Sequence, residues 1–120
     1  MSLDFEVPQL SSFSLHVTVF IKPEDVDKFL AAFKPAFDET VATPECVYFE
    51  VFQDPENPGT LSWVENWNAS AEWFIKTHLA KDYYKPYLEA TLPMMIKERE
   101  FKILKRMGPG LVASKPENLQ

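Results

Sequence analysis

The sequence predicts an α+β domain with the element order β-α-β-β-α-β, and three observations lead there. Residues 13–21 and 60–67 alternate apolar and polar side chains, as half-buried strands do. Residues 26–41 repeat apolar side chains every three or four positions, the period of an amphipathic helix. Between the second and third strands stands Asp54-Pro-Glu-Asn-Pro-Gly59, whose turn formers make those strands a hairpin.

The elements follow in order. Residues 1–12 are mixed in character, contain Pro8, and read as an arm. In the first strand Leu15, Val17, Val19 and Ile21 point one way, and Ser14, His16, Thr18 and Phe20 point the other. Pro23-Glu-Asp opens the first helix, since proline and acids suit a first turn with unpaired N–H groups. Its apolar stripe is Val26, Phe29, Leu30, Phe33, Phe37 and Val41, with Pro35 on the outer side as an expected kink. Thr43-Pro44 ends it. Cys46 to Gln53 is apolar on both sides, which predicts a central strand covered on two faces. Thr60 to Trp67 is the third strand, and Asn68 is placed to cap a helix running to Leu79. Residues 82–91 predict a further short helix presenting Tyr83, Tyr84, Tyr87 and Leu88, ended by Pro93. Residues 95–107 read as a charged fourth strand anchored by Phe101 and Ile103. Gly108-Pro-Gly110 breaks it, leaving residues 108–120 as a tail and 13–107 as the single domain.

This order is the split βαβ, or ferredoxin-like, arrangement: a four-stranded antiparallel sheet with helices on one face. The other face carries Phe20, apolar positions of the second strand and Val64. An apolar sheet face needs a cover, so face-to-face pairing of two copies as a homodimer is expected, with His16 in that interface.

Composition narrows the function. The net charge of −6 and the interruption of the most basic stretch, residues 97–106, by two glutamates leave no stripe for nucleic acid or an anionic membrane. The single cysteine, Cys46, permits no intrachain disulfide, and no Cys/His cluster points to zinc. In a strand it reads as a small buried hydrophobe rather than a nucleophile. No signal peptide and no apolar run of about 20 residues is found, so a cytoplasmic protein is expected. Only 3 glycines are present and none forms a phosphate-binding fingerprint, so no nucleotide or flavin is expected.

The chemistry concentrates in the third strand and the helix after it. Strand geometry puts Trp63, Glu65 and Trp67 on one face, and the helix returns His78 over it. A buried carboxylate between two indoles is either paired or a proton acceptor with a raised pKa. His78, with an ordinary pKa of about 6.5, is either a hydrogen-bonded helix-end imidazole, with Glu65 a candidate partner, or a pocket base. Trp63, Trp67 and Phe74 suit stacking on a flat ring, and Tyr83 is either a surface tyrosine or a donor to a substrate oxygen. The 14% aromatic content fits a flat aromatic ligand, a subunit interface, or simply a bulky core.

These residues resemble the antibiotic biosynthesis monooxygenase (ABM) domain family of the dimeric α+β barrel superfamily. The resemblance runs through Val17-Thr-Val-Phe-Ile-Lys-Pro, Phe29-Leu, Cys46-Val-Tyr-Phe-Glu-Val-Phe-Gln-Asp-Pro and Val64-Glu-Asn-Trp-Asn-Ala-Ser-Ala-Glu to His78-Leu, over roughly residues 14–104. Glu-x-Trp at the end of the third strand, with a histidine eleven residues on, is its most specific part. The chain departs from the family pattern at Glu45, usually glycine, and at Tyr83, where many members carry a second histidine. Tyr84 to Tyr87 occupy the region where haem-degrading relatives place their histidine, so haem is not expected.

The resemblance implies a homodimer with a pocket between each sheet and its helices, and cofactor-free oxygenation of an anthrone, hydroquinone or other polyketide-type aromatic. His78 and Glu65 are then the expected catalytic residues, and Trp63, Trp67, Phe74 and Tyr83 the substrate contacts. An oxygen-independent isomerase, cyclase or decarboxylase in the same pocket stays open, as does a non-catalytic binding dimer, because a fold does not fix a reaction.

Overall fold

The computed structural model describes residues 7–115. Strands β1 (Phe13–Ile21), β2 (Cys46–Gln53), β3 (Thr60–Trp67) and β4 (Met95–Leu104) form one antiparallel sheet in the order β2-β3-β1-β4. Helix α1 (Val26–Val41), helix α2 (Ala71–Trp73, continued as a π-helix over Phe74–His78) and helix α3 (Tyr84–Thr91) pack on one side of it. The fold is the ferredoxin-like α+β arrangement that the element order requires.

Alternation along β1 is complete. Phe13, Leu15, Val17, Val19 and Ile21 are buried under the helices, while Ser14, His16, Thr18 and Phe20 are half-buried on the open face. In β3 the same alternation buries Leu61, Trp63, Glu65 and Trp67. Register then builds the layers: Leu15 and Phe49 flank Glu65, and Val17 and Val51 flank Trp63. Ile103 and Phe101 of β4 extend those two rows beyond Leu15 and Val17.

The second strand is not central. Among the described residues β2 forms a sheet edge, with β3 alone beside it. Its inward residue Phe49 packs on Phe33 and Phe37, at centroid distances of 6.1 and 4.7 Å. The apolar content of its other side is split between Phe52, exposed on the open face, and Val47, exposed at an irregularity in the ladder after Cys46.

Helix α1 also turns slightly from its expected stripe. Phe29, Phe33, Ala36 and Thr40 are buried, whereas Leu30 and Val41 are 37% and 48% exposed. At 3.6 residues per turn those two lie about 100° round the helix from the buried line. Thr40 takes an inward place because its hydroxyl donates to the Ala36 carbonyl at 2.8 Å, leaving no bare polar hydrogen in the core. Pro35 stands on the exposed side as expected, and the helix continues through it.

Ser70, rather than Asn68, caps α2: its Oγ accepts from the Trp73 N–H at 3.0 Å. The Asn68 N–H donates instead to the Glu45 carbonyl, and the arm is tied in by the Ala71 N–H to the Leu10 carbonyl. Residues 1–6 of that arm and 116–120 of the tail lie outside the described residues. Helix α3 starts at Tyr84, placing Pro86 in a first turn where a missing N–H costs little. β4 ends at Leu104, three residues before its expected end. No helix among the described residues is long and apolar enough to cross a membrane.

Gly59 joins the hairpin to β1 by close backbone approach. The Ile21 N–H donates to its carbonyl at 2.9 Å, and a Cβ at Gly59 would stand 1.9 Å from the Ile21 carbonyl oxygen. Gly59→Ala is therefore expected to lower stability by about 2 kcal/mol or more, because backbone must shift to admit the methyl group. Urea unfolding of the two proteins measures this, and an unchanged midpoint would show that the strand ends move freely.

Candidate active site

The site is built on the inward row of β3. Trp63, Glu65 and Trp67 share a face because they lie two residues apart. That spacing lets both indoles turn toward the carboxyl between them. Trp63 Nε1–H donates to Glu65 Oε2 at 3.0 Å, and Trp67 Nε1–H donates to Oε1 at 3.1 Å. Both oxygens are thus held, one to each ring, and among the described residues no cation pairs with them.

Glu65 is 6% exposed, and burial pushes its carboxyl up to about 7, against the smaller downward pull of the two indole bonds. Two N–H groups stabilise the anion but do not replace the water it has lost. The acid is therefore poised to exchange a proton near neutral pH. When it is protonated, each oxygen can still accept from its indole, and the added O–H needs a third direction in which to donate.

Glu65 borders a cavity, open to solvent at its mouth, between the sheet and the α2–α3 segment. Trp63, Glu65, Phe74 and Tyr84 line it with Leu15, Val17, Ile75, Leu79, Tyr87, Leu88, Arg99, Phe101 and Ile103. Its mostly apolar walls with a few polar groups suit a small organic molecule. The sequence pointed to Trp63, Glu65 and Phe74 in this lining; Arg99, Tyr84 and Tyr87 it did not single out as site residues. Arg99 sits two residues before Phe101 on the strand face that looks inward, a periodicity that was available to find it.

Trp67, His78 and Tyr83 stand behind this wall rather than in it. Trp67 and His78 are both fully buried, with ring centroids 4.6 Å apart, and His78 stacks on Phe74 at 5.4 Å and 21°. Residues 74 and 78, four apart, share the inward face of the helix, which runs here as a π turn with the Leu79 N–H donating to the Phe74 carbonyl at 2.9 Å.

His78 bonds to Tyr83 and not to Glu65. The direction of the chain follows from counting hydrogens. The Thr40 hydroxyl spends its proton on Ala36, so it accepts from Tyr83 at 3.1 Å, and Tyr83 in turn accepts from His78 Nε2–H at 2.7 Å. The neutral imidazole then carries its proton on Nε2, and its buried Nδ1 has no hydrogen-bond partner among the described residues. Burial, aided by the charge of Lys81, holds this histidine down to about 4. Tyr83 is half-buried, not a surface residue, and it links α1 to the end of α2.

Other candidates fall away from the site. Cys46 is half-buried and its thiol is pushed up to about 11 by burial and the nearby Glu65 charge, so it stays protonated and weakly nucleophilic. His16 faces the open side of the sheet and bonds to Ser14 Oγ at 3.0 Å. Among the described residues no three His, Cys, Asp or Glu side chains group to hold a metal ion.

The fold and site together define a ferredoxin-like α+β domain with a buried acid beside an apolar cavity. Comparison with known proteins gives the family. Residues 12–90 match the antibiotic biosynthesis monooxygenase family, and the chain belongs to it. A relative from Pestalotiopsis microspora, named "Putative monooxygenase GME11364", is 33% identical over 99 residues, covering 82% of each chain. A conserved protein from Methanosarcina mazei Go1 has a similar structure, with a TM-score of 0.71 and 26% identity over 81% of this chain and 94% of that one. A crystal structure of an antibiotic biosynthesis monooxygenase shares the fold at a TM-score of 0.70, with 19% identity over 80% of this chain and 99% of the other.

Glu65 and His78 oppose each other in pH-dependent stability. Glu65 is raised from 4.5 to about 7, so its contribution is full below pH 4.5 and lost as pH rises through 7. His78 is lowered from 6.5 to about 4, so its contribution is full above pH 6.5 and lost as pH falls through 4. Between about pH 4.5 and 6.5 the folded state holds the Glu65 proton and the unfolded state the His78 proton, and the slopes cancel. Glu65→Gln should therefore lose stability on acidification relative to wild type, by up to about 1.4 kcal/mol per pH unit, while His78→Gln should gain by a similar slope. Urea titrations at pH 4.5, 5.5 and 6.5 read both slopes, and parallel lines for all three proteins would contradict the assignment.

Proposed function

We propose that the protein is a cofactor-independent monooxygenase acting on an aromatic, quinol or polyketide-type molecule, with Glu65 as the proton acceptor. One observation carries this reading: a carboxyl near pKa 7, held by two indoles, borders an apolar cavity. The flat ring lies against Trp63 and Phe74, and Glu65 removes a phenolic or benzylic proton. The resulting anion gives one electron to dioxygen, and radical and superoxide combine to a hydroperoxide that takes its proton back from Glu65. Loss of water leaves a new carbonyl, so one oxygen atom enters the product and the other leaves as water. The apolar walls keep bulk water from reprotonating the anion first.

His78, placed behind Phe74 and Trp67, is assigned a positioning role in this scheme. Its bond to Tyr83 fixes the π turn, and its ring backs the indole that holds Glu65 Oε1. The expected direct base function passes to Glu65, which borders the cavity.

Oxygen uptake with an anthrone or a hydroquinone tests the reading. Glu65→Gln is expected to lower kcat by about 10²–10⁴-fold, the usual worth of a positioned base. The wild-type rate should rise with pH through an apparent pKa near 7, since the base acts when ionised. No uptake on any such substrate would remove the oxygenase reading; turnover without oxygen would move the same cavity to isomerase, cyclase or decarboxylase chemistry.

The protein is further proposed to work as a homodimer joined through the open faces of its sheets. That face carries Phe20, Val64, Phe52 and Leu104 among Ser, Thr and charged residues, and β3 and β1 lie half-buried along its middle. Light scattering should give the mass of two chains, and Val64→Glu should give that of one. A wild-type monomer at micromolar concentration would exclude the pairing.

A further inference from the structure

We propose that Arg99 is an anion anchor at the cavity, so that its ligand is a flat aromatic molecule bearing one negatively charged oxygen group, a carboxylate or an acidic phenolate. This deepens the reading of an aromatic ligand in the cavity and rests on it.

Arg99 reaches the cavity by strand alternation, and an irregularity in the sheet follows directly after it on the side toward Met95. Thr18 pairs with Glu100 and Phe20 with Lys97, so two residues of β4, Glu98 and Arg99, stand opposite Val19 alone. Arg99 stands with Phe101 and Ile103 in the wall of the cavity and is half-buried there. Among the described residues it is the only basic side chain in that lining.

Its charge is not used by the protein. Among the described residues Arg99 makes no hydrogen bond and no ion pair; the ion pairs there are Lys34–Asp38 and Lys76–Glu72, both on exposed helix surface. Glu65 is the one carboxyl in the cavity lining, yet its oxygens bond only to the two indoles and its pKa is raised, where a guanidinium in contact would lower it. The field of Arg99 falls instead on Tyr87, whose hydroxyl it pulls down against the larger upward effect of burial.

A guanidinium beside apolar walls with no acceptor is a planar fork of donors awaiting a carboxylate or phenolate oxygen. The rest of the chain is acidic, with a net charge of −6, so general electrostatics would repel such a ligand. The attraction is local to the cavity. Trp63 and Phe74 then receive the ring, Arg99 the charge, and Glu65 the exchangeable proton.

Calorimetric titration of the intact protein at pH 6 with 2-naphthoate and with 2-naphthalenemethanol, of nearly the same shape but uncharged, tests this. The ionised phenolate of 2,4-dinitro-1-naphthol is the second anion. Wild type is expected to bind at least one anion tenfold or more tightly than the alcohol, and which one binds identifies the group. Arg99→Met should abolish that preference while leaving alcohol affinity within about twofold, which also shows that the variant is folded; Arg99→Lys should keep part of it. Equal affinities in wild type, or a preference that survives in Arg99→Met, would overturn the anchor and leave the aromatic cavity standing. Failure of all three probes to bind wild type would overturn both.

Discussion

The arrangement of the site depends on one interaction, the clasp of the Glu65 carboxyl by the indole N–H groups of Trp63 and Trp67. A carboxyl under the helices of so small a domain would cost several kcal/mol if left without donors. Two indoles supply donors at 3.0 and 3.1 Å while keeping the surroundings apolar. An arginine or lysine in their place would have held the carboxyl well below neutrality. Indoles satisfy the hydrogen bonds without adding charge, and the acid stays near 7.

Around that clasp the aromatic side chains form a continuous body. Phe13, Trp67, Phe74 and His78 pack ring against ring from the start of β1 to the end of α2. A second group, Phe29, Phe33, Phe37, Phe49 and Trp63, joins α1 to the sheet. Trp63 and Trp67 belong one to each group, so the acid is held between the two halves of the core. The chain of hydroxyls from Thr40 through Tyr83 to His78 links α1 to α2 on one side of it. A shift in either helix would be felt at the carboxyl.

Much of the fold was legible because period alone decides it. Alternation in residues 13–21 and 60–67 produced strands with the expected faces, and the proline-rich turn produced the hairpin. Edge or centre was not legible for residues 46–53, because an apolar side chain on the second face does not say whether a strand or open space lies beside it. The cap was misplaced by two residues for a similar reason. Asn68 and Ser70 are both good caps, and the choice fell to Ser70 when the Asn68 N–H was taken by the Glu45 carbonyl.

For the site, the sequence by itself determined that Trp63, Glu65 and Trp67 share a face, since strand geometry leaves no other outcome. It also placed His78 in their neighbourhood. Only the tertiary structure decided what each does there. Packing sets His78 behind Phe74, bonded to Tyr83, so the histidine backs the site while Glu65 borders the cavity. Arg99 shares the inward face of β4 with Phe101 and Ile103 by strand alternation, but that it lines the cavity with no ion-pair partner among the described residues depends on how the elements pack. Local period fixes directions along one element; which groups meet, and which remain without a partner, depends on how separate elements pack.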